Sequence, residues 1–213
     1  MSLARKAIIK AIGLTRLSVE TTFISIIGED ENGRCCKNDL LREGVAHSHF
    51  IERKNASTSF ASINRDKNGN NIVVLYPSVS DLLTPTDIDK YSDLILQSHY
   101  LLLSFEIPIM VVEHAVSIAM QNKTKVILNP APARTLSPEV LRAVNLITPN
   151  ETEAMFLLGI SSYETCSPTV LARIWRQSAL GSAVITLGSA GALVLTSHAN
   201  TRFNKSCEYS ISY

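Results

Sequence analysis

The chain has 213 residues, of which 46% are hydrophobic and 18% charged, with a formal net charge of +1 and a mean hydropathy of +0.14. The length suits a single domain, residues 1–213, and the apolar share supports a sizeable core and excludes a disordered chain. A near-zero charge without any Lys/Arg-rich block sets nucleic-acid binding aside.

The first fourteen residues are basic and apolar, with no acid before Glu20. We read them as an amphipathic helix in preference to a transit peptide. "TTFISIIG" (21–28) is a β-rich run ending at glycine, and "CCKNDLLREGV" (35–45) reads as a helix closed by Gly44. Cys35 and Cys36 are adjacent and, with Cys166 and Cys207, form no C-x-x-C pair. A disulfide framework or zinc site is not expected, and a reducing, cytoplasmic compartment fits. "STSFASI" (57–63) alternates, "NRDKNGNN" breaks the chain, and "IVVLY" (72–76) resumes. Asn68-Gly69 between them predicts a β hairpin with a loop longer than two residues.

Thr84-Pro85-Thr86-Asp87 places a cap, a first-turn proline and an acid at a helix start. "YLLLSF" (100–105) reads as a buried strand, and Pro108 opens a helix to about Gln121. The longest apolar region, around Leu94–Val112, contains Gln97, His99 and Glu106, so no membrane span is expected. "KVILN" (125–129) is a strand, and Ser137-Pro138-Glu139 caps a helix. "NLIT" (145–148) is a strand, and Glu151–Leu158 a helix stopped by Gly159. Ser167-Pro168 opens a helix to Leu180. "AVITLG" (183–188) and "ALVLT" (192–196) are strands around the Gly191 turn, and residues 197–213 form an edge strand or a tail. Alternating apolar strands and helices predict an α/β fold with a mostly parallel sheet covered on both faces. Right-handed crossovers then bring the strands' carboxyl ends to one edge, where ligands bind.

Polar groups follow these strands: Glu29 and Asp30, Glu106, Asn129, then Asn150, Glu151 and Glu153, then Gly188. In "NLITPNETEAMFLLG" two carboxylates and an amide stand at a helix start. They either cap the helix and complement its dipole or organise phosphates and Mg²⁺, which prefers oxygen ligands. Glu106 either caps the helix that Pro108 opens or accepts hydrogen bonds from ligand hydroxyls. "TLGSAG" is either a tight turn or a place where a nucleotide approaches bare backbone. The His47-x-His49 spacing is a weak metal signal. Trp175 reads as core. No G-x-S-x-G nucleophile elbow and no G-x-G-x-x-G dinucleotide fingerprint occur.

"NKTKVILNPAPARTLSPEVLRAVNLITPNETEAMFLLGI" (122–160), "AVITLGSAGALV" (183–194) and "LLLSFEIP" (101–108) together resemble the ribokinase branch of the PfkB carbohydrate kinase family. The resemblance spans about residues 15–196. It implies a three-layer ribokinase-like fold with residues 57–76 as a small β lid. It also implies transfer of the γ-phosphate of ATP to a pentose hydroxyl, D-ribose giving ribose 5-phosphate. By resemblance Glu106 binds the sugar and Asn150 the ATP phosphates. Glu153 completes an Asn-x-x-Glu motif that organises Mg²⁺. Thr186, Leu187, Gly188, Ser189 and Gly191 line the nucleotide. Pairing of two copies through the lid is also implied.

The sequence departs from the family at several places. No Gly-Ala-Gly-Asp run, source of the family's anion hole and proton-accepting Asp, is present. The first sugar-binding strand, the Gly-Gly-x-Gly-x-Asn stretch and the K⁺-site segments are not found either. Ser57-Thr58-Ser59 stands for Ser-Thr-Gly, and Pro77-Ser78-Val79-Ser80 for Pro-Gly-Ala-Asn. The fold is therefore expected to be incomplete and activity impaired. The alternative is a non-catalytic nucleotide- or partner-binding relative, or a truncated gene product. Asp30 stands at the correct edge, which is its sole qualification as a base.

Overall fold

A computed structural model describes residues 6–45, 47–65, 71–76, 79–160, 166–178, 180–196 and 202–204. The chain forms two compact units, Met1–Asp87 and Ile88–Tyr213.

In the first unit, helix α1 (Lys6–Arg16) precedes strand β1 (Thr22–Gly28), helix α2 (Glu31–Arg42) and strand β2 (His47–Arg53). β1 and β2 pair in parallel, with Thr22 opposite His47 and Gly28 opposite Arg53. Ile8, Ala11, Phe23, Cys36, Leu40 and Val45 form the core between these elements, with Phe50 against it. That burial explains the apolar stripe of α1. α2 begins four residues earlier than the sequence pattern indicates, because the Asp30 carboxylate accepts from the Gly33 N–H and caps it. Gly44 follows α2 at φ 80°, the left-handed conformation that ends helices. Strand β2, "HSHFIER", has no predicted counterpart. Its polar alternation carries a weak strand signal, and the parallel ladder to β1 supplies what propensity does not.

Strands β3 (Phe60–Arg65) and β4 (Asn71–Tyr76) form a separate antiparallel pair, Phe60 opposite Tyr76 and Arg65 opposite Asn71. The rings of Phe60 and Tyr76 stack at 4.4 Å. The Asn68-Gly69 turn lies outside the described residues. A 3-10 turn (Val79–Leu82) and the start of helix α3 (Pro85–Asp89) complete this unit.

The second unit holds α4 (Ser92–Gln97), β5 (Tyr100–Ser104), α5 (Ile109–Ala119), β6 (Lys125–Asn129), α6 (Pro138–Ala143), β7 (Leu146–Ile147), α7 (Glu151–Leu157), α8 (Pro168–Gln177), β8 (Ser182–Thr186), β9 (Ala192–Leu195) and β10 (Arg202–Asn204). One six-stranded sheet runs in the order β10-β9-β8-β7-β6-β5. β5 to β8 are parallel, and β9 and β10 antiparallel to their neighbours. Ser137 and Ser167 cap α6 and α8 as their Ser-Pro steps predict, and Gly159 stops the chain after α7 at φ 69°. α8 ends at Gln177, short of the expected Leu180. β7 is only two residues long, and on the β6 side the ladder stops where Pro130 has no N–H to continue it. Trp175 is buried as expected, and its indole N–H donates to the Gly181 carbonyl at 3.0 Å. Among the described residues, no helix is long and apolar enough to cross a membrane.

Candidate functional site

Four parallel strands in register send their carboxyl ends to one edge of the second unit. Ser104 of β5 stands opposite Asn129 of β6. Leu128 of β6 stands opposite Ile147 of β7. The chain after β7 then bridges to β8, Asn150 to Thr186, with the Thr186 N–H donating to the Pro149 carbonyl at 3.0 Å. This edge carries Glu106, Asn129, Asn150 and the 186–191 turn. Two ladder steps of about 4.8 Å put the strands leading to Glu106 and Asn150 about 10 Å apart, a span suited to a small ligand.

Glu106 is half-buried, one residue beyond the fully buried Phe105. The Phe105 N–H donates to the Ala131 carbonyl at 3.1 Å, which ties this corner to the loop after β6. Pro108 is the N-cap residue of α5 and makes no side-chain cap bond, so Glu106 lies two residues before the helix cap. Asn129 donates from Nδ2 to the Thr148 carbonyl at 2.6 Å.

The start of α7 answers why two acids and an amide cluster there. The Asn150 Oδ1 accepts from the Glu153 N–H at 2.7 Å, and the Glu153 Oε2 accepts from the Asn150 N–H at 2.9 Å. This reciprocal pair is a capping box. Glu153 is only 7% exposed, whereas Asn150 and Glu151 lie at the surface. Asn150 thus faces outward while Glu153 holds it from behind.

Thr186, Gly188 and Ser189 are exposed, Leu187 is buried and Gly191 is half-buried. Residues 188–190 make a 3-10 turn, with Gly188 at φ 57° and Gly191 at φ 100°. Those dihedrals favour glycine at both positions and leave the turn's backbone uncovered. Of the predicted site residues, all eight lie on this one edge or directly behind it.

Asp30 is spoken for elsewhere. Besides Gly33, its carboxylate accepts from the Thr58 N–H at 2.7 Å and the Thr58 hydroxyl at 2.6 Å. The same hydroxyl oxygen accepts from the Gly28 N–H at 2.9 Å. Burial pushes the carboxyl upward, but the Thr58 and Gly33 hydrogen bonds outweigh it and leave Asp30 below its ordinary 3.8. It is an anchor for the Ser57-Thr58-Ser59 segment, a role that sequence reading missed. The sole hint was a Ser/Thr cluster with no local use. Asp87, 5% exposed, accepts from the Thr84 N–H and hydroxyl at the helix start that the sequence marks, and also from Arg53, a partner that sequence reading missed.

No group of three or more His, Cys, Asp or Glu side chains gathers among the described residues, and His47 and His49 lie along β2. A divalent ion at the Asn150 edge would therefore be carried by ligand phosphates with few protein oxygens, the usual habit of Mg²⁺. The exposed amide, the buried carboxylate behind it and the bare 188–190 backbone suit that arrangement.

The family model for the pfkB family carbohydrate kinases matches residues 6–208. The chain is 36% identical over 185 residues to the ribokinase of Haemophilus influenzae, covering 87% of this chain and 60% of that protein. It is 31% identical to the ribokinase of Staphylococcus aureus over 187 residues, 88% of this chain and 62% of that one. The chain thus spans about three fifths of the length of these relatives. Its fold matches that of an Arabidopsis thaliana ribokinase solved with ribose and ATP, with a TM-score of 0.82 at 19% identity over 95% of this chain and 66% of that one. The α/β fold is accordingly ribokinase-like, and the chain belongs to the PfkB family of carbohydrate kinases.

Proposed function

We propose that this chain carries the sugar- and nucleotide-contacting edge of an ATP-dependent kinase of ribokinase type, whose reaction converts D-ribose to ribose 5-phosphate. The observation that carries the reading is the convergence of Glu106, Asn150 and the 186–191 turn at the ends of parallel strands within one sheet. Glu106 accepts hydrogen bonds from sugar hydroxyls. Asn150 and the exposed backbone of 188–190 meet the ATP phosphates, with Thr186, Leu187, Ser189 and Gly191 shaping the nucleotide's bed. Glu153 fixes Asn150 and lends negative charge behind it. Mg²⁺, when bound with ATP, neutralises charge that develops on the phosphoryl group. Pairing through the hairpin belongs to the same reading, supported by Val74 and Tyr76, which are 39% and 48% exposed. A cytoplasmic setting accompanies it.

A second reading, binding without turnover, is favoured by one observation. Asp30, the acid weighed as a base, has its carboxylate committed to Thr58 and Gly33. The test pairs two measurements on the purified chain with Mg²⁺ and K⁺ present. Mg-ATP binding by calorimetry is expected to weaken about tenfold in Asn150→Ala, the loss of one charge-assisted hydrogen bond. Ribose-dependent ADP production is expected to equal that of the Glu106→Ala/Asn150→Ala double variant. Turnover above that level would establish a base within these residues. Binding that Asn150→Ala leaves unchanged would overturn the site.

A further inference from the structure

The β6–β7 ladder breaks at a position where its own pattern calls for one more bond. Thr148 donates its N–H to the Leu128 carbonyl at 2.8 Å. In a parallel ladder the next bond runs from the N–H of residue 130 to the Thr148 carbonyl. Residue 130 is proline and has no N–H to give. The Asn129 side chain fills the gap, with Nδ2 donating to the Thr148 carbonyl at 2.6 Å. The chain then turns tightly, the Ala131 N–H donating to the Asn129 carbonyl at 2.8 Å, and Ala131 receives the Phe105 N–H. Residues 129–131 thus hold the segments leading to Glu106 on one side and to Asn150 on the other.

We infer that Asn129 is a positioning residue for the Thr148–Asn150 segment, its side-chain amide standing in for the ladder donor that Pro130 lacks. The inference rests on the proposed nucleotide site for its functional consequence, but its structural content stands apart. Asn129 touches neither phosphate nor sugar in this scheme. It sets the place from which Asn150 reaches them, and the same loop sets the spacing to Glu106.

The substitution that tests this restores the missing donor. Asn129→Ala removes the amide, whereas Pro130→Ala returns a backbone N–H aimed at the same carbonyl. Hydrogen exchange at the amides of Thr148, Asn150 and Glu153 reads this segment directly and needs no ligand. Asn129→Ala is expected to speed exchange there about fivefold, the loss of one hydrogen bond. The Asn129→Ala/Pro130→Ala double variant is expected to exchange within twofold of Pro130→Ala alone. Mg-ATP affinity, measured on the same four proteins, is expected to follow the same pattern. Equal effects of Asn129→Ala with Pro130 and with Ala at position 130 would overturn the inference, as would no effect in either. If Asn129→Ala fails to fold while the double variant folds, the rescue itself supports it; failure of both overturns it. Should the exchange pattern hold while the unaltered chain binds no Mg-ATP, the positioning role stands and the nucleotide site falls.

Discussion

Removal of the Asp30 carboxylate should loosen two segments at once. The carboxylate caps α2 through the Gly33 N–H at 2.8 Å and accepts from both the N–H and the hydroxyl of Thr58. Losing an N-cap costs about 1 kcal/mol. Leaving the partly buried Thr58 donors without their acceptor costs about 1–3 kcal/mol more. Asp30→Ala should therefore destabilise the chain by about 3 kcal/mol. Asp30→Asn keeps an acceptor oxygen but loses the charge, and should cost about half as much. The pH dependence gives the sign. The folded carboxyl titrates below its ordinary 3.8, so the unfolded chain takes up the proton first. The contribution is whole above the unfolded value and disappears as pH falls through the folded one. Urea unfolding followed by circular dichroism should show a gap between the unaltered chain and Asp30→Asn that holds from neutral pH down to the unfolded carboxyl's range and narrows as pH falls through the folded one. Asp87 is also held below 3.8, by Arg53 and Thr84 against the upward push of burial, and it weakens both proteins alike, so the difference isolates Asp30. A gap below 0.5 kcal/mol at neutral pH, or one that widens on acidification, would refute the anchor.

Two other outcomes follow from the geometry. Glu153→Ala and Asn150→Ala each break the reciprocal cap, so their stability losses, about 1 kcal/mol each, should sum to more than the loss of the double variant; additive losses in thermal unfolding would show that the two side chains do not act as a pair. A Cβ at Gly28 would lie 2.0 Å from the Ala56 carbonyl oxygen, so Gly28→Ala should cost about 3 kcal/mol or more and lower the melting temperature by several degrees, and a variant as stable as the parent would contradict the close approach.

Helix ends were the most legible part of the chain. Gly44, Gly159, Ser137-Pro138 and Ser167-Pro168 act through neighbours in sequence, and local chemistry decides them. The strand ends that assemble the edge were also readable, because apolar runs closed by a polar residue mark both burial and its limit. What escaped was built from distant partners. The polar strand β2 depends on its ladder to β1, and the early start of α2 depends on Asp30. The part Asp30 plays in turn depends on Thr58, 28 residues away. For Glu153 the sequence left capping and metal organisation side by side. The structure shows the cap in full and leaves the metal to ligand measurements. Asn129 was visible as one polar group at a strand end, but the need it meets is set by the proline beside it and a carbonyl on the next strand.

The shortness of β7 bears on how the sheet can yield. Its ladder pairs are Leu146 and Ile147, extended by single backbone bonds from Asn145 and Thr148 to β6 and by the Asn150–Thr186 bridge to β8, whereas β5 and β6 pair at every residue from Tyr100 to Ser104. The sheet therefore has a narrow seam at its middle, reinforced at one end by the Asn145 side chain accepting from the Val126 N–H and at the other by Asn129. A seam of this kind concentrates compliance: slight splaying of β5–β6 from β8–β10 would change the distance between Glu106 and the 186–191 turn while both halves stay rigid. Any ligand that touches both would act as a rivet across the weakest line of the fold.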